Sequence, residues 1–153
     1  MCGVGDAVQR GDSLMAKFNL ELPTDVMNDI KRIYDNADEI FGEMTTAGAE
    51  VALKNIRANV PASFRNSNIM KCLKTTRVYK TPTNGGINTK VAFFGYFENH
   101  EGRRVPAPLV ANVFEYGRSD FPKRPFFRKS FRKAEIEQAM LEAQKKASGG
   151  LLE

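Results

Sequence analysis

Apolar positions change period several times along the chain, and each change marks an element. Phe18, Leu20 and Leu22 alternate with Asn19 and Glu21, the spacing of a short half-buried strand or extended lead-in that Pro23 ends. With Thr24 or Asp25 as the helix cap, Val26, Ile30, Ile33, Ala37, Ile40, Met44, Ala47 and Val51 then recur at alternating steps of four and three, one face of a helix. The stripe passes to Leu53, Ile56 and Val60 before Pro61, which predicts a helix of about 35 residues, roughly three times the usual mean. Gly42 and Gly48 are the places for a bend or break. A stripe this regular also fits a coiled coil; Ala37 and Ala47 are small for a zipper seam, which favours one helix, or two in succession, lying across a sheet. Asp29, Arg32, Asn36, Glu39 and Glu43 form the opposite, solvated face.

Residues 61–68 read as loop, with Asn66, Ser67 or Asn68 capping a short helix through Ile69, Met70 and Leu73. Residues 77–81 resemble a strand, and residues 82–88, PTNGGIN, a turn-rich connection. Residues 89–97, TKVAFFGYF, make the strongest strand of the chain. Val91, Phe93 and Phe97 share one face, while Ala92, Phe94 and Tyr96 share the other. With both faces apolar, the strand is either central and covered on both sides or presented to another subunit.

A charged loop follows over residues 98–108, and then Leu109, Val110, Val113 and Phe114 have helical spacing that Tyr116-Gly117 closes. Pro122 and Pro125 bracket Lys123-Arg124, and the proline rings make that loop stiff. Pro125 suits the first turn of a last helix running from Phe126 to Ala147. Its buried stripe is read as Phe127, Phe131 and Ala134, then Ile136, Met140 and Ala143. The expected fold is α+β: a small antiparallel sheet packed against a long N-terminal helix and a C-terminal helix.

Length and composition bound this picture without changing it. The 153 residues suffice for one domain with a real core. That domain is placed at residues 15–148, between a flexible arm or leader at 1–14 and a flexible C-terminus at 149–153. A net charge of +5 gives some attraction to acidic partners. Cys2 and Cys72 alone support neither a disulfide framework nor a four-ligand metal site, which points to a reducing compartment. No apolar run approaches the roughly 20 residues that span a bilayer, so no membrane association is expected.

Candidate chemistry is sparse. The single histidine, His100, lies in a polar loop without a nucleophile or further metal ligands nearby in sequence. Asp35, Asp38 and Glu39, or Glu98 and Glu101, are carboxylate groups on solvated surfaces. No phosphate-cradling loop occurs. The expectation is a protein that is not an enzyme and needs no cofactor or metal. Arg118, Lys123, Arg124, Arg128, Lys129, Arg132 and Lys133 form a basic set able to track phosphates. Against that, Arg128-Lys129 and Arg132-Lys133 repeat on what the helical reading makes a solvated face, with the phenylalanines buried. Glu115 stands out in an apolar segment, as a local cap or a partner for Arg118 or Arg124.

One resemblance is specific. Residues 113–131, VFEYGRSDFPKRPFFRKSF, resemble the signature of the tail-component family of long-tailed bacteriophages, the head-tail joining or neck proteins. Glu115-Tyr116-Gly117 and Arg124-Pro125-Phe126-Phe127-Arg128 carry the match, and the order of elements extends it over residues 18–147. Two steps depart from the family pattern: Ser67-Asn68-Ile69-Met70-Lys71 stands where a threonine-glycine step is usual, and Arg118 replaces a threonine. The resemblance implies a virion structural protein of the head-tail connector, made and assembled in the host cytoplasm. Its partners would be copies of itself around the neck axis and adjacent head-completion, adaptor, tail-tube or terminator proteins, close to packaged DNA. Expected at the subunit boundaries are Phe94 and Tyr96 of the strand and Glu115, Arg118, Asp120, Lys123 and Arg124 of the signature, together with the polar termini. The alternatives are a tail-terminator or tail-completion ring protein and, in a different class, a basic DNA-binding accessory protein.

Overall fold

The computed structural model describes residues 23–149. The lead-in at Phe18, Leu20 and Leu22, the arm at 1–14 and residues 150–153 lie outside the described residues. The fold is α+β. Helices α1 (Thr24–Asp35) and α2 (Ala37–Asn59) share the long stripe, and a single turn, α3 (Ala62–Arg65), follows Pro61. Six short strands come next: β1 (Leu73–Thr75), β2 (Tyr79–Lys80), β3 (Ile87–Asn88), β4 (Val91–Phe93), β5 (Tyr96–Glu98) and β6 (Arg104–Pro106). Helix α4 (Ala107–Tyr116) leads into the signature loop, and α5 (Lys133–Ala147) ends the described chain.

The long helix breaks at Asn36, and neither Gly42 nor Gly48 interrupts it. Asn36 adopts φ −101° and ψ 6°, which is just outside helical geometry. Its N–H still donates to Arg32 O, and Ile40 N–H to Asn36 O, so the ladder carries across and α1 leads away from the body. Gly48 has a packing role. A Cβ there would lie 3.0 Å from Met140 Cγ and 3.2 Å from Ile136 Cγ2, so its absence lets α5 close onto α2. The two helices run antiparallel, with Asn55 Nδ2 donating to Glu135 Oε2 at the other end of the contact.

Six strands make three two-stranded antiparallel ladders in place of one sheet. β1 pairs with β4 in the register Leu73 to Phe93, and β2 pairs with β3 further out on the same excursion. The segment 89–97 is therefore two strands. After Phe93 the chain turns at Gly95, φ +74°, a left-handed conformation that glycine adopts at little cost, and β5 pairs with β6 instead. Residues 98–108, expected as loop, thus include the hairpin strand β6, with His100 at the exposed tip. Ser67 is the cap of the short helical turn Asn68–Cys72, its Oγ accepting from Ile69 N–H.

One core holds these pieces together: Ile56, Val60, Phe64, Ile69, Leu73, Phe93, Ala107, Ala111 and Phe126 are buried in a single cluster. Phe64 is its centre. Its ring centroid lies 4.3 Å from that of Phe114, 5.6 Å from Phe126 and 6.3 Å from Phe93, so one residue ties α3 to β4, α4 and the chain after Pro125. Such aromatic pairs contribute about 1 kcal/mol each beyond burial.

The last helix begins at Lys133, not at Phe126. Between them lies one tight turn, Arg128–Ser130, after which Phe131 turns the chain again, with Arg132 N–H donating to Ser130 O at 3.0 Å, and Arg132 is extended. Ser130 is fully buried, its Oγ donating to Phe126 O at 2.6 Å and accepting from Asn59 Nδ2 at 3.1 Å. These bonds pin the turn to α2 and separate it from α5. Phe131, expected in the core, is consequently exposed, and Arg128-Lys129 and Arg132-Lys133 do not share one helical face. In α5 proper, Ile136, Met140 and Ala143 are the half-buried stripe, as their spacing predicts.

Candidate functional site

The signature region is organised by one carboxylate. Glu115 lies in the last turn of α4 and is buried, 7% exposed. Its Oε2 accepts the N–H groups of Phe126 and Phe127, both at 2.9 Å, and its Oε1 accepts that of Arg128 at 3.2 Å. These three donors open a helical turn and have no partner within it, the situation in which a negatively charged acceptor is most effective. Burial alone would raise the carboxyl's pKa. The three backbone bonds, with the Arg128 guanidinium nearby, outweigh it and hold the group below its ordinary value of 4.5.

Glu115 therefore corrects the expectation that it meets another subunit. It is an interior group whose oxygens are occupied by its own chain, and its partners are backbone nitrogens, with neither Arg118 nor Arg124 among them.

The chain between Glu115 and Phe126 is drawn into a compact loop. Gly117 takes φ +81° and ψ 177°, a region essentially reserved for glycine. A Cβ at that position would sit 2.9 Å from Lys123 N and 3.1 Å from Phe121 O. Arg118 and Phe121 exchange backbone hydrogen bonds at 2.8 and 3.0 Å, and Arg124 N–H donates to Phe114 O at 2.7 Å. The Phe121 ring packs at a tilt against Phe114, centroids 4.8 Å apart, and the Arg124 guanidinium lies 5.5 Å from the Phe121 ring centre. Arg118, Asp120, Lys123 and Arg124 are all exposed on this loop.

Phe94 and Tyr96, 41% and 60% exposed, flank the Gly95 turn outside the core. They do not share a strand face. Phe94 precedes the turn and Tyr96 opens β5, with the Arg104 guanidinium 5.1 Å from the Tyr96 ring centre.

A groove beside the loop was not legible in the sequence. It has a volume of about 390 Å³ and runs between β4 and α4, floored by Phe93 and Ala111 and walled by Ala92, Pro108, Phe127 and Phe131. Tyr116 and Arg128 stand at its rim, with Arg128 Nη2 donating to the Tyr116 hydroxyl at 3.0 Å. The two residues are twelve apart in the chain and meet where Glu115 holds the turn at Arg128.

The remaining chemical candidates are dispersed. Asp38 pairs with Lys80, Glu101 with Arg103 at 3.5 Å, and His100 lies 3.9 Å from Glu101 in the open hairpin tip. Among the described residues, no group of three or more His, Cys, Asp or Glu side chains is placed to hold a metal ion. Cys72 is a buried free thiol 3.6 Å from Tyr96 O. No helix among the described residues is long and apolar enough to cross a membrane. The arrangement presents cations and rings at fixed positions beside an apolar groove, which suits it to binding acidic and apolar groups of a partner. Comparison with protein families, with characterised proteins and with solved structures finds no match to the chain.

Proposed function

We propose that this protein is a structural component of the head-tail connector of a long-tailed bacteriophage, joining the head to the tail during virion assembly. The observation that carries the reading is the Glu115 clamp. The glutamate of the glutamate-aromatic-glycine step accepts the three N–H groups that follow Pro125, so the two halves of the family-like signature form one physical unit. Gly117 fits the same unit, since only glycine allows the chain to return so close above it. A motif whose parts depend on each other mechanically is stronger support than the same letters scattered through a fold.

The unit's product is a loop with Arg118, Lys123 and Arg124 outward and its backbone already ordered. Ordering before contact lowers the cost of docking, a benefit to a protein whose role is assembly. The same placement suits a neck position or a ring on the tail, and the phenotype of removal separates them. Deleting the gene from the genome that encodes the protein is the test. Electron microscopy should find DNA-filled heads and finished tails lying unjoined. Tails of irregular length would favour a terminator, and normal tailed particles would overturn both.

A further inference from the structure

Helix α1 carries an apolar face that nothing in the described chain covers. Val26, Met27 and Ile30 are 42%, 50% and 53% exposed, and no residue of the helix is buried. α1 holds Asp25, Asp29 and Asp35 against Lys31 and Arg32, and Glu39 and Glu43 follow, exposed, at the start of α2. The groove between β4 and α4 has the opposite character. Arg128 lines it and Lys74, Lys90 and Lys129 are exposed on the segments that border it, while Glu115, the carboxylate in its lining, is buried and bonded. Apolar meets apolar and acid meets base, which steers encounter and fixes register.

Within one chain the two surfaces do not meet. The groove wall at Phe131 packs near Ala52, about 22 Å along α2 from Ala37 at 1.5 Å per residue. α1 continues about 18 Å in the other direction. A knob at one end of a subunit and its complement at the other define a head-to-tail contact, the type that closes into rings.

We propose that α1 of one copy docks in the β4–α4 groove of the next copy, so that each subunit of the assembly gives one helix and receives one. The inference rests on the connector reading for its ring context, and its test is independent of the particle phenotype. Sedimentation of the full chain at low salt should show self-association. Ile30→Asp, which removes an apolar anchor of the helix, and Pro108→Glu, which sets a like charge in the groove against the acidic helix, should each weaken it by about 30-fold or more.

Mixing the two variants gives the decisive result. Each supplies the surface the other lacks, so one good contact forms per pair, and the mixture should yield one-to-one dimers and nothing larger. Dimers from the mixture also establish that both variants are folded. A wild-type chain that stays monomeric, variants that associate like wild type, or a mixture without dimers each overturns the proposal. Variants associating like wild type would leave the connector reading standing. Normal particles after gene deletion would overturn that reading and leave the sedimentation result intact.

Discussion

The loop after α4 and helix α1 are both exposed, and they are held in opposite ways. The loop's backbone is tied to the interior through Glu115, Gly117 and the Phe114 carbonyl, so its charged side chains stand on a fixed frame. Among the described residues, α1 is held by its own hydrogen-bond ladder and the link through Asn36. The loop is a polar surface determined from within. The helix is an apolar surface that the described residues leave uncovered. Exposure alone therefore says little about how a segment is held; what lies beneath it decides.

Substitutions that reach the frame should be costly, and those on α1 should not. Glu115→Ala should have the largest effect, about 3–4 kcal/mol, because it strands three backbone donors where water has little access. Urea unfolding measures this, and a loss under about 1 kcal/mol would mean that the clamp does not set the frame. Gly117→Ala should follow at about 2–3 kcal/mol, through backbone strain and the close approach of Lys123 N. The same titration checks it.

Acid should act through the same carboxylate. The folded-state pKa of Glu115 lies below 4.5, so its contribution is complete above that value and is lost as pH falls through the lower, folded value. Comparing urea midpoints at about pH 7 and about pH 3, wild type should lose more stability than Glu115→Gln. Equal losses would remove Glu115 from the account. At the small end, Ile30→Asp should change unfolding stability by less than about 0.5 kcal/mol, since Ile30 buries little within its own chain. A larger change would show that α1 packs on its own body, and the contrast between the two regions would collapse.

Much of the fold was legible because its signals are local. The stripe from Val26 to Val60, the Tyr116-Gly117 stop, the Ser67 cap and the Ile136, Met140, Ala143 face all follow from periodicity and capping. The misreadings share a different cause. The break at Gly95 depends on β5 finding β6, and the delayed start of α5 depends on Ser130 being held by Asn59, seventy-one residues earlier. Periodicity sees neither. Glu115 was read as a local cap or a partner for Arg118 or Arg124; it is a cap, but the backbone nitrogens it caps carry no letter in the sequence. The groove is formed by three separate segments and left no pattern at all.

We propose that the clamped loop is a docking element in head-tail joining. Its most direct test replaces Arg124 by Glu and Pro125 by Ala together in the genome that encodes the protein, followed by electron microscopy of the lysate and unfolding of the purified variant. The expected result is a folded protein, DNA-filled heads and separate tails. Normal tailed particles containing the double variant would contradict it.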